Sequence, residues 1–317
     1  MKRIFPILLC FLLLTGCQQN KTEIQGFSMD SSYRIDAEGI SNELETDIRS
    51  YLNNIDSVLN VYREDSRISM LNENKVLVVS DAKDELLFDL IKRTLPYCND
   101  TFDISIRPVS KLWNFKSENP ALPNQEELAQ NLASVGYWNI KLSDDSVQLE
   151  NGAEIEGGAV VKGYVCDRVA EKLSGNTALI DIGGTIKTVG KDITAGVKSP
   201  DHNGLLCSFT LKDGKAVSTS GSYERSFQLD GKLYHHILNP KTGYPTTTDF
   251  VSVTVICDSA LEADIFSTTL FAENSFRIPK SAEVIYVTND HLVYISPGIE
   301  NFKLLNGDYQ TINLTEE

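Results

Sequence analysis

Two oxygen donors lie one helical turn apart in a late apolar stretch of the sequence. Asp264 and Thr268 are four residues apart in ALEADIFSTTLFAEN, a pattern that predicts a helix. Their side chains then share a helix face, where a carboxylate and a hydroxyl can bind Mg²⁺, which completes its octahedron with water and substrate phosphate. The same spacing is common on solvated helix faces, so this pair alone does not establish a metal site.

A second stretch, EIEGGAVVKGYVCD at 154–167, favours an anion. Gly157 and Gly158 precede a predicted helix that carries Lys162 and Asp167. Glycines let a ligand approach the backbone, and a helix N-terminus attracts negative charge. The spacing of a Walker P-loop is absent, and a tight turn into a helix with a solvated lysine has the same pattern.

Hydroxyl groups are concentrated in AVSTSGSYERSF at 216–227. Ser218, Thr219, Ser220 and Gly221 follow a predicted strand and offer hydroxyls and flexible backbone to a phosphate, or form a plain polar loop. Ser220 is not in a G-x-S-x-G elbow, so a serine hydrolase is not supported.

Two of the four histidines are adjacent in KLYHHILNPKTGYP at 232–245. They lie between a predicted strand and a rigid turn, and a histidine with a pKa near 6.5 can accept a proton at neutral pH. A half-buried strand histidine with one hydrogen bond is the alternative.

The elements that must position these groups form a mixed pattern. Helices are predicted at 41–60, from Asp81 to about Tyr97, after Asn124 and in VVKGYVCDRVAEKLSG. Strands are predicted at 27–35, in a hairpin within NIKLSDDSVQLENG and in most of the chain after Gly175. Helices and strands alternate without strict βαβ order, which indicates an α+β fold.

The N-terminus resembles a bacterial lipoprotein signal. Lys2 and Arg3 precede an apolar run too short to span a membrane comfortably, and Leu14-Thr15-Gly16-Cys17 resembles a lipobox. We expect a signal peptide at 1–16, lipidation of Cys17, a polar tether at 17–26 and one domain at 27–317. The alternative is an ordinary signal peptide with a chance cysteine. A lipid anchor predicts an extracytoplasmic, membrane-anchored protein, facing the periplasm in a bacterium with two membranes.

Charge and cysteine content exclude several classes. The net charge of −15 becomes −17 once Lys2 and Arg3 are removed, and no basic stripe is present, so a nucleic-acid partner is not expected. The remaining cysteines, at 98, 166, 207 and 257, show no C-x-x-C spacing and predict neither a zinc site nor a dense disulfide framework. A single disulfide stays open.

The order of the motifs is more specific than any one of them. KGYVCDRVA, DIGGT, STSGSYERSF, YHHILNPKTGYP and SVTVICDSALEADIFSTTLF, in that order, resemble the ApbE family of FAD:protein FMN transferases. Upstream, FSMDSSYRI resembles the family's Met-Gly-Thr start, and VYREDSRISMLN and DTFDISIRPVSKLWNF resemble its next two segments. The resemblance runs from about residue 25 to 300.

The resemblance implies a fold and a reaction. The implied fold is a single T-fold-like domain of mixed sheets and helices, with the flavin site in a cleft between two subdomains. The implied enzyme uses Mg²⁺ and FAD, transfers FMN to a threonine or serine of an acceptor protein through a phosphoester, and releases AMP. Acceptors in the family are typically membrane-associated redox subunits. An Mg²⁺-dependent FAD pyrophosphatase and a non-catalytic FAD-binding lipoprotein are the alternatives.

The resemblance also implies roles for individual residues. His236 matches the family's histidine and is expected to be the general base or to position the nucleophile, with His235 incidental. The metal ligands are expected to be Asp264, Thr268 and the carbonyl of Ala159. The expected flavin-binding positions are Met29, Tyr62, Thr101, Phe102, Asp103, Lys162 and Asp167, with Thr219, Ser220 and Gly221 lining the same pocket.

Two departures from the family's pattern bear on the predicted chemistry. Glu156 stands where the family usually has aspartate, and Asn239 replaces the aspartate of His-Ile-x-Asp-Pro. Asparagine keeps the hydrogen-bonding geometry but loses the charge. If the family's aspartate only caps the turn, little changes, whereas turnover falls if it orients or charges the histidine.

Overall fold

Seven α-helices lie in the part of the chain that the computed structural model describes, namely residues 21–115, 117, 120–201 and 203–315. The predicted signal peptide, the lipidation site at Cys17 and residues 17–20 of the tether lie outside these residues. The helices are α1 (Asn42–Leu59), α2 (Arg67–Asn74), α3 (Ala82–Thr94), α4 (Arg107–Trp113), α5 (Gln125–Leu132), α6 (Val161–Lys172) and α7 (Ala260–Glu273).

Strands dominate the second half of the chain. They are β1 (Lys21–Ser28), β2 (Ser31–Glu38), β3 (Val76–Val78), β4 (Ile140–Leu142), β5 (Ser146–Leu149), β6 (Thr177–Ile182), β7 (Thr185–Val189), β8 (Ile193–Lys198), β9 (Leu205–Leu211), β10 (Ala216–Gly221), β11 (Ser226–Leu229), β12 (Lys232–His235), β13 (Phe250–Cys257), β14 (Glu283–Thr288), β15 (Leu292–Ile295), β16 (Lys303–Leu304) and β17 (Gln310–Asn313).

A nine-stranded sheet forms the centre of the fold. Its order is β1-β2-β6-β7-β10-β13-β14-β15-β17, antiparallel throughout except for the last pair. Smaller sheets are formed by β16-β9-β8, by β3-β5-β4 and by the β11-β12 hairpin. This mixed arrangement is the predicted α+β class.

The central sheet is covered on both faces. On one face, apolar residues of β2 and β6 pack against α1 and α6, and those of β13 pack against α7. On the other, β8 and β9 pack against β10, β13 and β14. A separate aromatic cluster around Trp113 joins α4 and α5 to the β11-β12 hairpin.

Local signals explain most of the helix starts. The side chains of Ser41, Asp81, Asn124 and Ser259 each accept a backbone N–H in the first turn of the following helix. The sequence analysis does not predict helices α2 and α4, of eight and seven residues, because two turns carry little periodicity; the equally short α5 is predicted from its start at Asn124.

The N-terminal boundary needs a correction. The sequence predicts a tether at 17–26, but residues 21–26 form most of β1, which pairs with β2 from Lys21 to Ser28. Among residues 21–26 only Ile24 is buried, so this edge strand has the polar composition of a linker. The folded region therefore includes residue 21.

Two further findings concern membrane-spanning helices and the cysteines. Within the described residues, no helix combines the length and apolarity needed to cross a bilayer. Cys98, Cys166, Cys207 and Cys257 are all buried free thiols, so the disulfide left open by the sequence does not form.

Candidate functional site

The Asp264 carboxylate is buried near the start of α7 and is held entirely by neutral donors. Its Oδ2 accepts the Gly163 N–H at 2.7 Å. Its Oδ1 accepts the hydroxyls of Thr185 at 2.8 Å and Ser218 at 2.5 Å. Burial raises the pKa of Asp264, and the charge of Lys162 opposes that change. A bound cation would stabilise the ionised carboxylate here.

Gly163 makes this contact possible by letting two helices approach closely. A Cβ at position 163 would lie 2.2 Å from the carbonyl oxygen of Ala260 and 2.8 Å from Cα of Leu261, both backbone atoms of α7. Only glycine permits that approach, and only at that approach does its N–H reach Asp264.

Thr268 lies one turn further along α7, beside β10. Its Oγ1 is 3.1 Å from the Ser220 Oγ, which is also 2.9 Å from the Ser267 Oγ. Side chains alternate along a strand, so Ser218 and Ser220 both face α7. Thr219 points to the opposite face, where its hydroxyl is 2.8 Å from that of Thr254. The structure thus brings Ser220, but not the Thr219 side chain, to the expected metal ligands.

The Ala159 carbonyl is open at the start of α6. In a regular helix it would accept the Gly163 N–H, but that N–H is donated to Asp264 instead. Within the described residues, this carbonyl accepts no hydrogen bond. No group of three or more His, Cys, Asp or Glu side chains suits a metal in the same residues. A metal here would therefore use mixed oxygen donors, and a carbonyl, a carboxylate and a hydroxyl fit Mg²⁺.

Lys162 connects the expected metal ligands Ala159, Asp264 and Thr268 electrostatically to His236. Its Nζ donates to the Gly183 carbonyl in the β6–β7 turn at 3.4 Å. Gly183 has φ +59°, and a Cβ there would lie 2.0 Å from the Ser31 Oγ. The charge of Lys162 affects the pKa of both Asp264 and His236, so all three share one electrostatic environment.

His236 is a neutral, oriented histidine. The Arg225 carbonyl accepts its backbone N–H at 3.0 Å and faces its Nδ1 at 3.3 Å. Burial lowers the pKa of His236 to about 4, with further contributions from the charges of Arg225, His235 and Lys162. A carbonyl only accepts, so Nδ1 carries the proton and Nε2 presents its lone pair.

The neighbouring His235 has a different environment. It is buried, its Nε2 lies 3.0 Å from the Thr246 carbonyl, and its ring packs edge-on against Phe271. These contacts are structural, and the absence of a chemical role for His235 stays a prediction.

The Asn239 side chain caps the turn after the histidines. Its Oδ1 accepts the N–H groups of Lys241 at 2.8 Å and Thr242 at 3.2 Å. Among the described contacts, none joins this side chain to His236. An amide oxygen makes the same capping contacts as a carboxylate, so the departure from the family's aspartate leaves the turn intact.

Glu156, the second departure, belongs to a polar cluster on one side of a cleft. Its Oε2 accepts from Arg107 at 3.1 Å and from Ser110 at 2.9 Å. The Arg107 guanidinium lies 5.0 Å from the centre of the half-exposed Tyr62 ring. Sequence reasoning missed Arg107 and Ser110, although both lie in DTFDISIRPVSKLWNF, because their contact with Glu156 joins residues more than 45 positions apart. The cleft measures about 500 Å³ and is lined by Val61, Tyr62, Glu64, Ser69, Glu73 and Arg107.

Asp167 has a structural environment. It accepts from Lys187 Nζ and Ser259 Oγ, each at 2.7 Å, and from the amides of Ala260 and Leu261 at 2.9 and 3.0 Å. These contacts join α6 to the N-terminus of α7, where negative charge is favourable. Its contact with flavin stays a prediction.

The Thr101–Asp103 segment is also held by its own loop. Asp103 is buried and accepts the amides of Ser105 at 2.8 Å and Tyr137 at 2.7 Å, and burial raises its pKa. Phe102 lies in the main core, and the Thr101 hydroxyl donates to Asn99. At the β1–β2 turn, Met29 has φ +53° and donates its N–H to Asp56 at 2.7 Å.

Comparison with known proteins identifies the family. A model described as the ApbE family matches residues 29–286, most of the chain. The chain belongs to the ApbE family. The FAD:protein FMN transferase of Klebsiella pneumoniae (strain 342) is 34% identical over 232 residues, covering 68% of this chain and 73% of that protein. The enzyme of the same name from Escherichia coli (strain K12) is 28% identical over 297 residues, covering 83% and 84%.

Solved ApbE structures share the fold. The ApbE protein of Thermotoga maritima superposes with a TM-score of 0.74 at 30% identity, covering 85% of this chain and 94% of that one. The Pseudomonas stutzeri flavinyl transferase ApbE, in its apo form, gives 0.72 at 24% identity, covering 85% and 92%. The single-domain α+β prediction and the family resemblance are confirmed.

Proposed function

We propose that this ApbE-family protein transfers FMN from FAD to a threonine or serine of an acceptor protein and releases AMP, with Mg²⁺ held by Ala159, Asp264 and Thr268. The observation that carries the proposal is the Asp264 carboxylate, which is buried among neutral donors and lies one turn from Thr268. The two relatives described above are named FAD:protein FMN transferase.

The oxygens of Ala159, Asp264 and Thr268 support the proposed role of Mg²⁺. When bound there, Mg²⁺ would offset the negative charge of the diphosphate. Gly163 and the two hydroxyls hold the Asp264 carboxylate in a fixed position. Lys162 adds positive charge on the same side of the site.

His236 is the proposed general base. Its Nε2 would accept the proton of the acceptor hydroxyl as that oxygen bonds to the flavin-proximal phosphorus. The bond from that phosphorus to the bridging oxygen breaks, and AMP leaves with the electron pair. His236 is neutral at pH 7 because its pKa is lowered, so the base is available without prior deprotonation.

We further propose that the protein is a lipoprotein anchored through Cys17 and faces an extracytoplasmic compartment. The support is the N-terminal sequence: a basic head, a short apolar run and Leu14-Thr15-Gly16-Cys17. A membrane-bound redox subunit would then be the accessible acceptor.

The decisive experiment follows flavin and AMP together. Protein beginning at Gln18 is incubated with FAD and Mg²⁺, with and without an acceptor domain that an ApbE relative modifies. We expect acceptor-dependent AMP release and a fluorescent acceptor band that survives denaturation. AMP without a labelled band would indicate a pyrophosphatase, and bound FAD without AMP would indicate a binding protein.

A matched pair of variants tests the metal assignment. We expect Asp264→Ala to abolish transfer, whereas Asp258→Ala, which changes an exposed carboxylate paired with Lys215, should retain it. Full transfer by Asp264→Ala would disprove the assignment.

A further inference from the structure

One ion pair joins two loops that are far apart in sequence and close to His236. Asp30, in the β1–β2 turn, lies 3.1 Å from Nη2 of Arg225, in the loop between β10 and β11. Both side chains are about two-fifths exposed, at 41% and 42%. The turn that carries Asp30 continues into Ser31, whose hydroxyl abuts Gly183, the residue bound by Lys162.

The backbone at Asp30 is unfavourable for most side chains. Asp30 has φ +63° and follows Met29 at φ +53°, so the turn uses two left-handed residues. Glycine adopts this conformation without a steric cost, and the Met-Gly-Thr motif that this segment resembles has glycine here. The carboxylate at position 30 is therefore a feature of this chain, and its contact is with Arg225.

The backbone of Arg225 makes the contacts that orient His236. One carbonyl oxygen accepts the His236 N–H at 3.0 Å and faces Nδ1 at 3.3 Å. Which imidazole nitrogen carries the proton is set by the hydrogen bond that the other makes. The position of this single carbonyl thus determines whether Nε2 is a base or a donor.

We propose that Arg225 is a positioning residue and that its ion pair with Asp30 fixes the loop whose carbonyl holds His236 in the Nδ1-protonated form. The proposal rests on the proposed function, because it assigns a purpose to the open Nε2. Asp30 acts through Arg225, and neither residue supplies a reacting atom.

The electrostatic part of this arrangement has a defined direction. Arg225, His235 and Lys162 are the charged and titratable groups that lower the pKa of His236. Replacing Arg225 with a neutral residue removes one of these charges and should move the acid limb of the pH–rate profile upward. Replacing Asp30 leaves the charge of Arg225 in place and should not move the limb upward.

The test compares Asp30→Asn, Arg225→Gln and the double variant. Asparagine tolerates the left-handed backbone, so Asp30→Asn removes only the charge. Glu300→Gln is the control, since it breaks the comparably exposed Lys212–Glu300 pair beside β9. ¹⁵N NMR of the imidazoles reports the tautomer, with the His236 signals assigned by their loss in His236→Gln.

We expect a single Nδ1-protonated form in the wild type and in Glu300→Gln, and a mixture of tautomers in the two single variants. We expect kcat for transfer to fall about two- to fivefold in each, in the range of an exposed ion pair, with KM for FAD unchanged. The double variant should be no slower than the slower single variant, and Arg225→Lys should recover most of the activity.

A double variant whose loss of kcat equals the combined losses of the two single variants would overturn the proposal. An unchanged His236 tautomer in both single variants would also overturn it. If the wild type labels no acceptor, the proposed function fails. The NMR result still decides whether the ion pair controls the His236 tautomer, because it needs neither flavin nor acceptor.

Discussion

Replacing Gly163 with alanine should separate the two helices that build the site. The added Cβ would lie 2.2, 2.6 and 2.8 Å from the carbonyl oxygen and carbon of Ala260 and from Cα of Leu261. These are backbone atoms, so no side-chain rotation can relieve the overlap. A separation of roughly 1 Å would restore ordinary contact and would stretch the 2.7 Å bond from the Gly163 N–H to Asp264 beyond hydrogen-bond length.

The magnitude follows from three opposing effects. Alanine in a helix interior is favoured over glycine by about 1 kcal/mol. Overpacking costs about 1–3 kcal/mol, and losing a buried hydrogen bond to a charged group costs about 1.5–3 kcal/mol. We therefore expect the free energy of unfolding of Gly163→Ala to fall by about 1.5–5 kcal/mol.

Urea unfolding measures the stability, and the flavin-transfer assay measures the site. Gly307→Ala is the control, because a Cβ there meets no atom within 4 Å and its φ is not in the left-handed region. Gly163→Ala should also lose activity at temperatures where it remains folded, since Asp264 loses a donor. A variant that is about 1 kcal/mol more stable than wild type and fully active would refute the reasoning, because propensity alone would then decide.

Three further outcomes can be measured. Because the pKa of His236 is lowered to about 4, the transfer rate should be constant between about pH 8 and 6, with an acid limb well below 6.5, and an acid limb near 6.5 would contradict the assignment. In the unfolded chain this histidine binds a proton below about pH 6.5, so its contribution makes the free energy of unfolding fall as the pH drops from there. Asp167→Asn should lower the free energy of unfolding by about 2–4 kcal/mol, because four donors lose a charged acceptor. An unchanged urea midpoint would show that the Asp167 contacts with the N-terminus of α7 are dispensable. Asn239→Asp should change transfer less than about twofold, since either side chain caps the turn, and a large gain in kcat would show that charge at this position acts on the histidine.

Local features of the fold could be predicted because they depend on neighbouring residues. The cap at Asp81 and the periodicity of α1 both have short-range signals. The edge strand at Lys21–Ser28 was partly missed, since a strand exposed on one side has the composition of a linker. The order of the sheet depends on contacts between distant segments, which no local pattern contains.

The candidate site divides in the same way. Asp264 and Thr268 could be paired from helical spacing, but the neutral donors that hold Asp264 come from β7, β10 and α6. Residue type could not distinguish Ser220 from Thr219, because the difference depends on which face of β10 meets α7. The capping role of Asp167 likewise depends on how α6 meets the start of α7.

The strand order of the central sheet implies a direction of assembly. From β1 to β17, each strand pairs with the sheet member that precedes it in the chain, so the sheet can grow at one edge while the polypeptide is being made. Helix α7 follows β13, the sixth strand of the nine, so Asp264 joins the site only after most of the sheet exists. Until then the growing edge offers unpaired backbone groups to other chains. The strand that finally ends this growth, β17, has four exposed residues, and such a short strand limits further pairing.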